Sequence, residues 1–75
     1  MNTKFDDILN DDIERFNDFE FAPAIYSHNA MMMGMIRAFR LDGTFNNSVY
    51  YEWMDRINQA EENALIRIGA VNYIK

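Results

Sequence analysis

The sequence predicts a small all-α domain of three helices. Three stretches of the 75-residue chain repeat apolar residues at the three- and four-residue spacing of an amphipathic helix. Pro23 stands where the second stretch begins, and Gly43 and Gly69 follow the second and third stretches, positions where these residue types commonly start or end helices. Since a chain of this length builds one hydrophobic core, we expect a single domain over residues 1–75.

Helix 1 is expected from about residue 4 to about residue 19. When successive residues are placed at about 100° intervals, the apolar side chains of this stretch fall on one arc. Thr3 is the expected N-cap, with Asp6 three residues later in a weak form of the capping box. The apolar arc consists of Phe5, Ile8, Leu9, Ile13, Phe16 and Phe19.

Helix 2 is expected from about residue 23 to about residue 41. Its apolar residues are not confined to one stripe, a pattern expected for the central, most buried helix. This group includes four methionines that either fill the core or line an interface, Met31, Met32, Met33 and Met35. Ala30, Gly34 and Ala38 share one face, where small side chains would let another helix approach closely. We therefore expect helix 2 to be central, with a helix packed on this small-residue face.

Helix 3 is expected from about residue 47 to about residue 68, with Asn46 as its N-cap and an ion pair between Glu52 and Arg56. Its core stripe consists of Val49, Trp53, Ile57, Ala60, Ala64 and Ile68. The short connection before it predicts that helices 2 and 3 form an antiparallel hairpin. One core should unite the three helices through Phe16, Ile36, Phe39, Trp53 and Ile57. The apolar tail, residues 70–75, is expected to dock on this domain.

Composition excludes several classes of function. The chain has no cysteine, and a single histidine, His28, cannot build a metal centre, so we expect no metal and no cofactor. His28 and Ser27 are sequence neighbours, and neighbours on a helix do not face each other, so we expect no catalytic pair and no enzyme.

The acidic N-terminus differs from a secretion signal, and no apolar run is long enough to cross a membrane. These features predict a cytoplasmic protein.

The net charge is concentrated at one end of the chain. Residues 1–20 contain seven acidic residues against Lys4 and Arg15, whereas residues 21–75 contain five acidic and five basic residues. The formal charge of −5 therefore belongs to the segment of helix 1. This distribution argues against direct nucleic-acid binding and predicts a protein partner with a basic surface.

Four acidic residues of helix 1, Asp7, Asp11, Glu14 and Asp18, are spaced so that they share one face, which we call the acidic ridge. Like charges at this spacing destabilise a helix by a few tenths of a kcal/mol per pair, so local stability does not select them. Two interpretations are open. The ridge is a solvated face, or it docks on an Arg- and Lys-rich surface that otherwise binds nucleic acid, because a row of carboxylates imitates a row of phosphates.

A second group of side chains is predicted to make a contact. Tyr51, Met54 and Leu65 share a face of helix 3 outside its core stripe. An apolar face of this kind indicates packing against helix 1, against the C-terminal tail or against another chain.

Small, acidic, helical proteins without catalytic residues resemble the inhibitors that phages and plasmids carry against host defence proteins, such as anti-CRISPR and anti-restriction proteins. The resemblance is one of type. It implies a non-enzymatic protein that binds its target stoichiometrically, here with the acidic ridge covering a basic surface.

Two further functions remain open. The first is an oligomeric binder of a small nucleotide-like ligand, held between chains by Tyr26, Arg37 and Arg40, since arginine pairs with phosphate and stacks on rings. The second is a structural or assembly subunit. A short chain without disulfide or metal also favours self-association as a source of stability, so a homo-oligomer is expected.

Overall fold

The computed structural model describes residues 4–70, which form three α-helices. The first, α1, spans Lys4–Glu14 and continues into a 3-10 helix, Arg15–Asp18. The second and third are α2, Ala22–Leu41, and α3, Asn47–Arg67. Residues 4–70 contain no strand, so the prediction of an all-α three-helix domain is confirmed. Within the same range, no helix combines the length and the apolar character that a membrane span requires.

Helices α2 and α3 form the predicted antiparallel hairpin. Far from the connection, the Asn29 side-chain amide donates a 3.2 Å hydrogen bond to the Asn58 side-chain oxygen. Next to the connection, the Arg40 guanidinium lies 4.4 Å from the centre of the Tyr50 ring. Residues early in α2 therefore meet residues late in α3, and residues late in α2 meet residues early in α3.

Helix α1 runs antiparallel to α2. The Phe5 ring lies 4.8 Å from the Phe39 ring, centre to centre, near the end of α2. The Phe16 ring lies 4.7 Å from the His28 ring, near the beginning of α2. These aromatic contacts hold α1 across the hairpin.

All three helices contribute to one core. The five residues predicted to share it are all present, with Phe39 only partly buried at its edge. The buried members of the core are Leu9, Phe16, Ile25, Met32, Ile36, Phe45, Tyr50, Trp53, Ile57, Ala64 and Leu65.

Local signals set the ends of α3 and of the α2–α3 connection. The Asn46 side-chain oxygen accepts a 2.8 Å hydrogen bond from the Val49 N–H, which confirms the predicted N-cap. Gly43 and Gly69 have φ of +86° and +76°, which only glycine adopts without strain. The Thr44 N–H donates a hydrogen bond to the Asp42 carboxylate. Hydrogen bonds from the side chain and the N–H of Thr44 lower the pKa of Asp42 below its ordinary value.

Helix 1 ends its α-helical hydrogen bonding earlier than residue 19, where the sequence pattern placed its end. The Asp12 carbonyl would accept the Phe16 N–H in a continuing α-helix. Here His28 Nε2–H donates a 2.6 Å hydrogen bond to that carbonyl, and the chain tightens into the 3-10 helix. The predicted cap Thr3 and the tail beyond Ala70 lie outside the described residues.

Arg67 connects the end of α3 to the segment that follows α1 through hydrogen bonds and an ion pair. Its guanidinium donates hydrogen bonds to the backbone carbonyls of Phe16 and Phe19, and it forms a 2.9 Å ion pair with Glu20. Phe19 is the C-cap of the 3-10 helix, and its N–H also donates a long 3.5 Å hydrogen bond to the Phe16 carbonyl. Arg67 therefore stabilises the exit of the 3-10 helix.

Replacing Arg67 with alanine is expected to lower the free energy of unfolding by about 1–2 kcal/mol, because two carbonyls lose a charged donor. Urea denaturation followed by circular dichroism measures this change. Glu20→Gln is the control, because it removes only the exposed ion pair and should cost less than about 0.5 kcal/mol. Equal losses in the two variants would contradict a role for the carbonyl contacts.

Helix α2 is not the most buried helix, since it buries four residues and α3 buries five, and the prediction that a helix packs on its small-residue face was wrong. It buries one stripe, Ile25, His28, Met32 and Ile36, and the opposite side is exposed. The small residues Ala30, Gly34 and Ala38 lie on the exposed side, and no atom lies within 4 Å of the position of a Cβ added to Gly34. No helix within residues 4–70 packs on this face.

Arg56 makes contacts other than the predicted ion pair with Glu52. Its guanidinium lies 4.2 Å from the centre of the Trp53 ring and donates a hydrogen bond to the Asn10 side chain of α1. A cation over an indole ring is a favourable contact, and it also covers part of the core. Arg56 therefore links α3 to α1.

Candidate protein-docking site on the first helix

The burial of α1 determines which side chains it presents to solvent. Leu9 and Phe16 are almost completely buried against the hairpin, and Phe5 and Ile13 are partly buried. The opposite face carries the acidic ridge, and Asp7, Asp11, Glu14 and Asp18 are all exposed. The chain therefore folds in the way that the sequence pattern indicated for this face.

Three of the four ridge residues line one depression of the surface. Asp11, Glu14 and Asp18, together with Arg15, line an open depression of about 400 Å³. Asp7 lies one turn before Asp11 and is not part of this lining. Although Asp18 belongs to the 3-10 helix, it still shares the depression with the two acids of α1.

The ion pairs among the described side chains, residues 5–70, leave the ridge negatively charged. These pairs are Arg15 with Asp12, at 3.3 Å, and Arg67 with Glu20, at 2.9 Å. Neither pair uses a ridge carboxylate. Arg15 borders the depression, but its Nε is turned toward Asp12.

The helix dipoles affect the ridge carboxylates differently according to their positions along the helices. Asp7 lies in the first turn of α1, where a negative charge is favourable at the positive end of the helix dipole. Asp18 ends the 3-10 helix, where a negative charge is unfavourable. Glu14 is both the last residue of α1 and the N-cap of the 3-10 helix, so the dipole contributions of the two helices at Glu14 oppose each other. Local stability therefore explains Asp7, but it does not explain Glu14 or Asp18.

Sequence reasoning missed two residues next to the ridge. Ile8 is 47% exposed although it was assigned to the apolar arc, and it adds apolar surface beside Asp7 and Asp11. Arg15 was counted only in the charge of the segment. Helical spacing would have found both, because Ile8 and Arg15 lie three and four residues from Asp11.

The three residues that were predicted to share one contact, Tyr51, Met54 and Leu65, differ in their burial. Leu65 is a core residue that is only 6% exposed, so it is unavailable to another chain. Met54 is partly buried against the core, and Tyr51 is exposed. Packing within the chain, one of the alternatives, therefore accounts for Leu65 and most of Met54.

The alternative ligand residues do not meet within one chain. Tyr26 and Arg37 are both exposed on α2, but eleven residues of helix place them about 16 Å apart along its axis. Arg40 is partly buried and lies over Tyr50. A single chain therefore offers no joint site for an anionic ligand at these three residues.

His28 has a structural role. Its ring is buried against the rings of Phe16 and Phe19, at 4.7 and 5.1 Å between centres, and its Nε2–H donates to the Asp12 carbonyl. Ser27 is exposed on another side of α2. The two side chains that are adjacent in sequence therefore do not share a site.

One further acidic group lies on α3. Glu52, Asp55 and Glu62 are exposed on its outward face, and burial raises the pKa of the neighbouring Glu61 from its ordinary value. The three exposed acids match the three that line the depression in number and charge. They provide an internal control for experiments on the acidic ridge.

Comparison of the chain with family models, with curated proteins and with solved structures found no match.

Proposed function

We propose that this protein binds a basic surface of another protein stoichiometrically, without catalysing a reaction, and that the acidic ridge is its contact surface. The observation that carries the proposal is the depression that Asp11, Glu14 and Asp18 line together. One of these carboxylates, Asp18, ends a helix where a negative charge is unfavourable, and the like charges of the three residues add a further local cost. Selection for a partner explains them better than selection for stability.

The dimensions of the ridge suit a surface that binds a phosphate backbone. Asp7 and Asp18 are eleven residues apart, which corresponds to about 18 Å along the axes of α1 and the 3-10 helix. The neighbouring ridge residues within α1, Asp7, Asp11 and Glu14, have Cβ atoms about 5–6 Å apart. Guanidinium groups that pair with successive phosphates can pair with successive carboxylates in the same way, because arginine binds both groups through two parallel hydrogen bonds.

The proposed setting is the cytoplasm, and the proposed partner is a protein whose basic surface otherwise holds nucleic acid. Covering that surface would inhibit the partner, as proteins of the anti-CRISPR and anti-restriction type do. Ile8 would add an apolar contact beside the charges, since apolar anchors contribute binding energy that exposed ion pairs do not.

Titration of the ¹⁵N-labelled protein with an arginine-rich peptide tests where a basic ligand binds. We expect chemical-shift changes concentrated at the amides around the depression, and an affinity that falls with added salt because charge attraction is screened. The exposed acids of α3 serve as the comparison within the same spectrum. Shift changes of equal size around Glu52, Asp55 and Glu62 would show that the peptide follows net charge, and they would contradict a specific role for the ridge.

A further inference from the structure

The exposed side of α2 is unusually apolar for a surface helix. We call it the α2 outer face, and it consists of Tyr26, Ser27, Ala30, Met31, Gly34, Arg37, Ala38 and Leu41, all of them exposed. Tyr26 is 53% exposed, Met31 50% and Leu41 75%. A helix with apolar residues all round is normally covered on all sides, yet the described chain covers only one side of α2.

We propose that a second copy of this chain covers the α2 outer face, with the two α2 helices antiparallel and crossing at Gly34. Ala30, Gly34 and Ala38 allow the helix axes to approach closely, because no side chain stands between the backbones. A two-fold axis at Gly34 places Ala30 opposite Ala38 of the partner copy. The same axis places Ser27 opposite Leu41 of the partner copy, so a small residue meets a large one.

Charge favours a second copy at this face over the other faces. Helix α2 contains no acidic residue, and Arg37 is the one charged residue of the α2 outer face. Two copies that met through α1 or α3 would bring carboxylates together, which costs free energy at close range. The exposed acids that oppose those contacts are Asp7, Asp11, Glu14 and Asp18 on the first side and Glu52, Asp55 and Glu62 on the second.

The proposed pairing also gives Arg37 a partner. In the antiparallel arrangement, Arg37 of one copy lies opposite Met31 of the other and about 7.5 Å along the axis from Tyr26 of that copy. An arginine side chain spans this distance, so its guanidinium can lie over the partner copy's Tyr26 ring. Tyr26 and Arg37, which were considered for an interchain ligand site, would then be in contact across the dimer, although they lie far apart within one chain.

The area available is that of a weak, specific dimer. Treated as a cylinder about 30 Å long and 12 Å across, the outward two-fifths of α2 offers on the order of 500 Å². Two copies would bury about 1,000 Å², which is close to the minimum for a specific interface. We therefore expect dissociation in the micromolar range.

Sedimentation equilibrium across micromolar concentrations tests the dimer with Gly34→Glu. The open space around Gly34 and the better helix propensity of glutamate keep the single chain folded, so a loss of fold is not expected. Two glutamates would meet at the crossing point, and we expect the dimer dissociation constant to rise at least about 10-fold. Gln59→Glu on the exposed face of α3 adds the same charge elsewhere and should leave the dimer intact. A wild-type chain that stays monomeric, or a dimer that Gly34→Glu leaves unchanged, would overturn the proposal.

Disulfide trapping tests the direction of the helices, because the native chain has no cysteine. Gly34→Cys should cross-link two copies rapidly under oxidation. Leu41→Cys should not, since the antiparallel pairing holds the two positions about 20 Å apart and a disulfide joins Cα atoms less than about 7 Å apart. Equal cross-linking of the two variants would overturn the antiparallel arrangement.

Discussion

Replacing Trp53 with alanine is expected to lower the free energy of unfolding by about 3–5 kcal/mol. The indole is only 6% exposed and lies in the core shared by the three helices, and the Arg56 guanidinium lies over its ring, 4.2 Å from the centre. A chain of this length has a total stability of about 4–11 kcal/mol. The loss is a large fraction of this total, so we expect the melting temperature of the variant to fall by about 12–40 °C.

Circular dichroism at 222 nm during thermal and urea denaturation measures this loss. Trp53→Phe is the matched control, because it keeps an aromatic ring in the core and should cost about 1–2 kcal/mol. The two variants together separate loss of packing from loss of the indole itself. A Trp53→Ala protein that melts at the wild-type temperature would show that the core does not depend on this position.

The elements that were predicted correctly are those whose start and end are determined by residues next to them in the sequence. Helix 3 was expected over residues 47–68 and is observed over Asn47–Arg67, because the Asn46 side chain caps it and Gly69 ends it. Both signals act within one turn of the helix end. The exposure of the acidic ridge was predictable for the same reason, since helical spacing alone places its four residues opposite the buried arc.

The parts that were missed depend on contacts between distant residues. The end of α1 is set by His28, sixteen residues after Asp12, and the exit of the following 3-10 helix is stabilised by Arg67 from the end of α3. Periodicity identifies the apolar sides of α2, but it does not count the helices available to cover them. A chain with three helices leaves one side of α2 open, and the sequence pattern alone could not show this.

Neutralising the ridge residues that line the depression is expected to abolish most partner binding while leaving the fold intact. The variant carries Asp11→Asn, Glu14→Gln and Asp18→Asn, which changes the formal net charge from −5 to −2. Its stability should be unchanged or slightly higher, because unfavourable like-charge and dipole interactions are relieved. Binding should weaken about 10- to 100-fold if each charge contributes about 0.5–1 kcal/mol, mainly through slower association.

The matched control neutralises the exposed acids of α3 with Glu52→Gln, Asp55→Asn and Glu62→Gln. It reaches the same net charge of −2 while preserving the acidic ridge. Any effect of overall charge on long-range attraction therefore appears in both variants. An effect of the ridge itself appears in only the first of them.

Capture of partners from a lysate of the native host, by wild-type protein and by these two variants in parallel, measures the central claim most directly. Quantitative mass spectrometry of the bound proteins should identify a basic protein that wild type and the α3-neutralised variant retain and the ridge-neutralised variant loses. The association rate of that protein with wild type should fall as salt is added. Equal capture of the same protein by all three forms would contradict the account, because the ridge would then be only a solvated face.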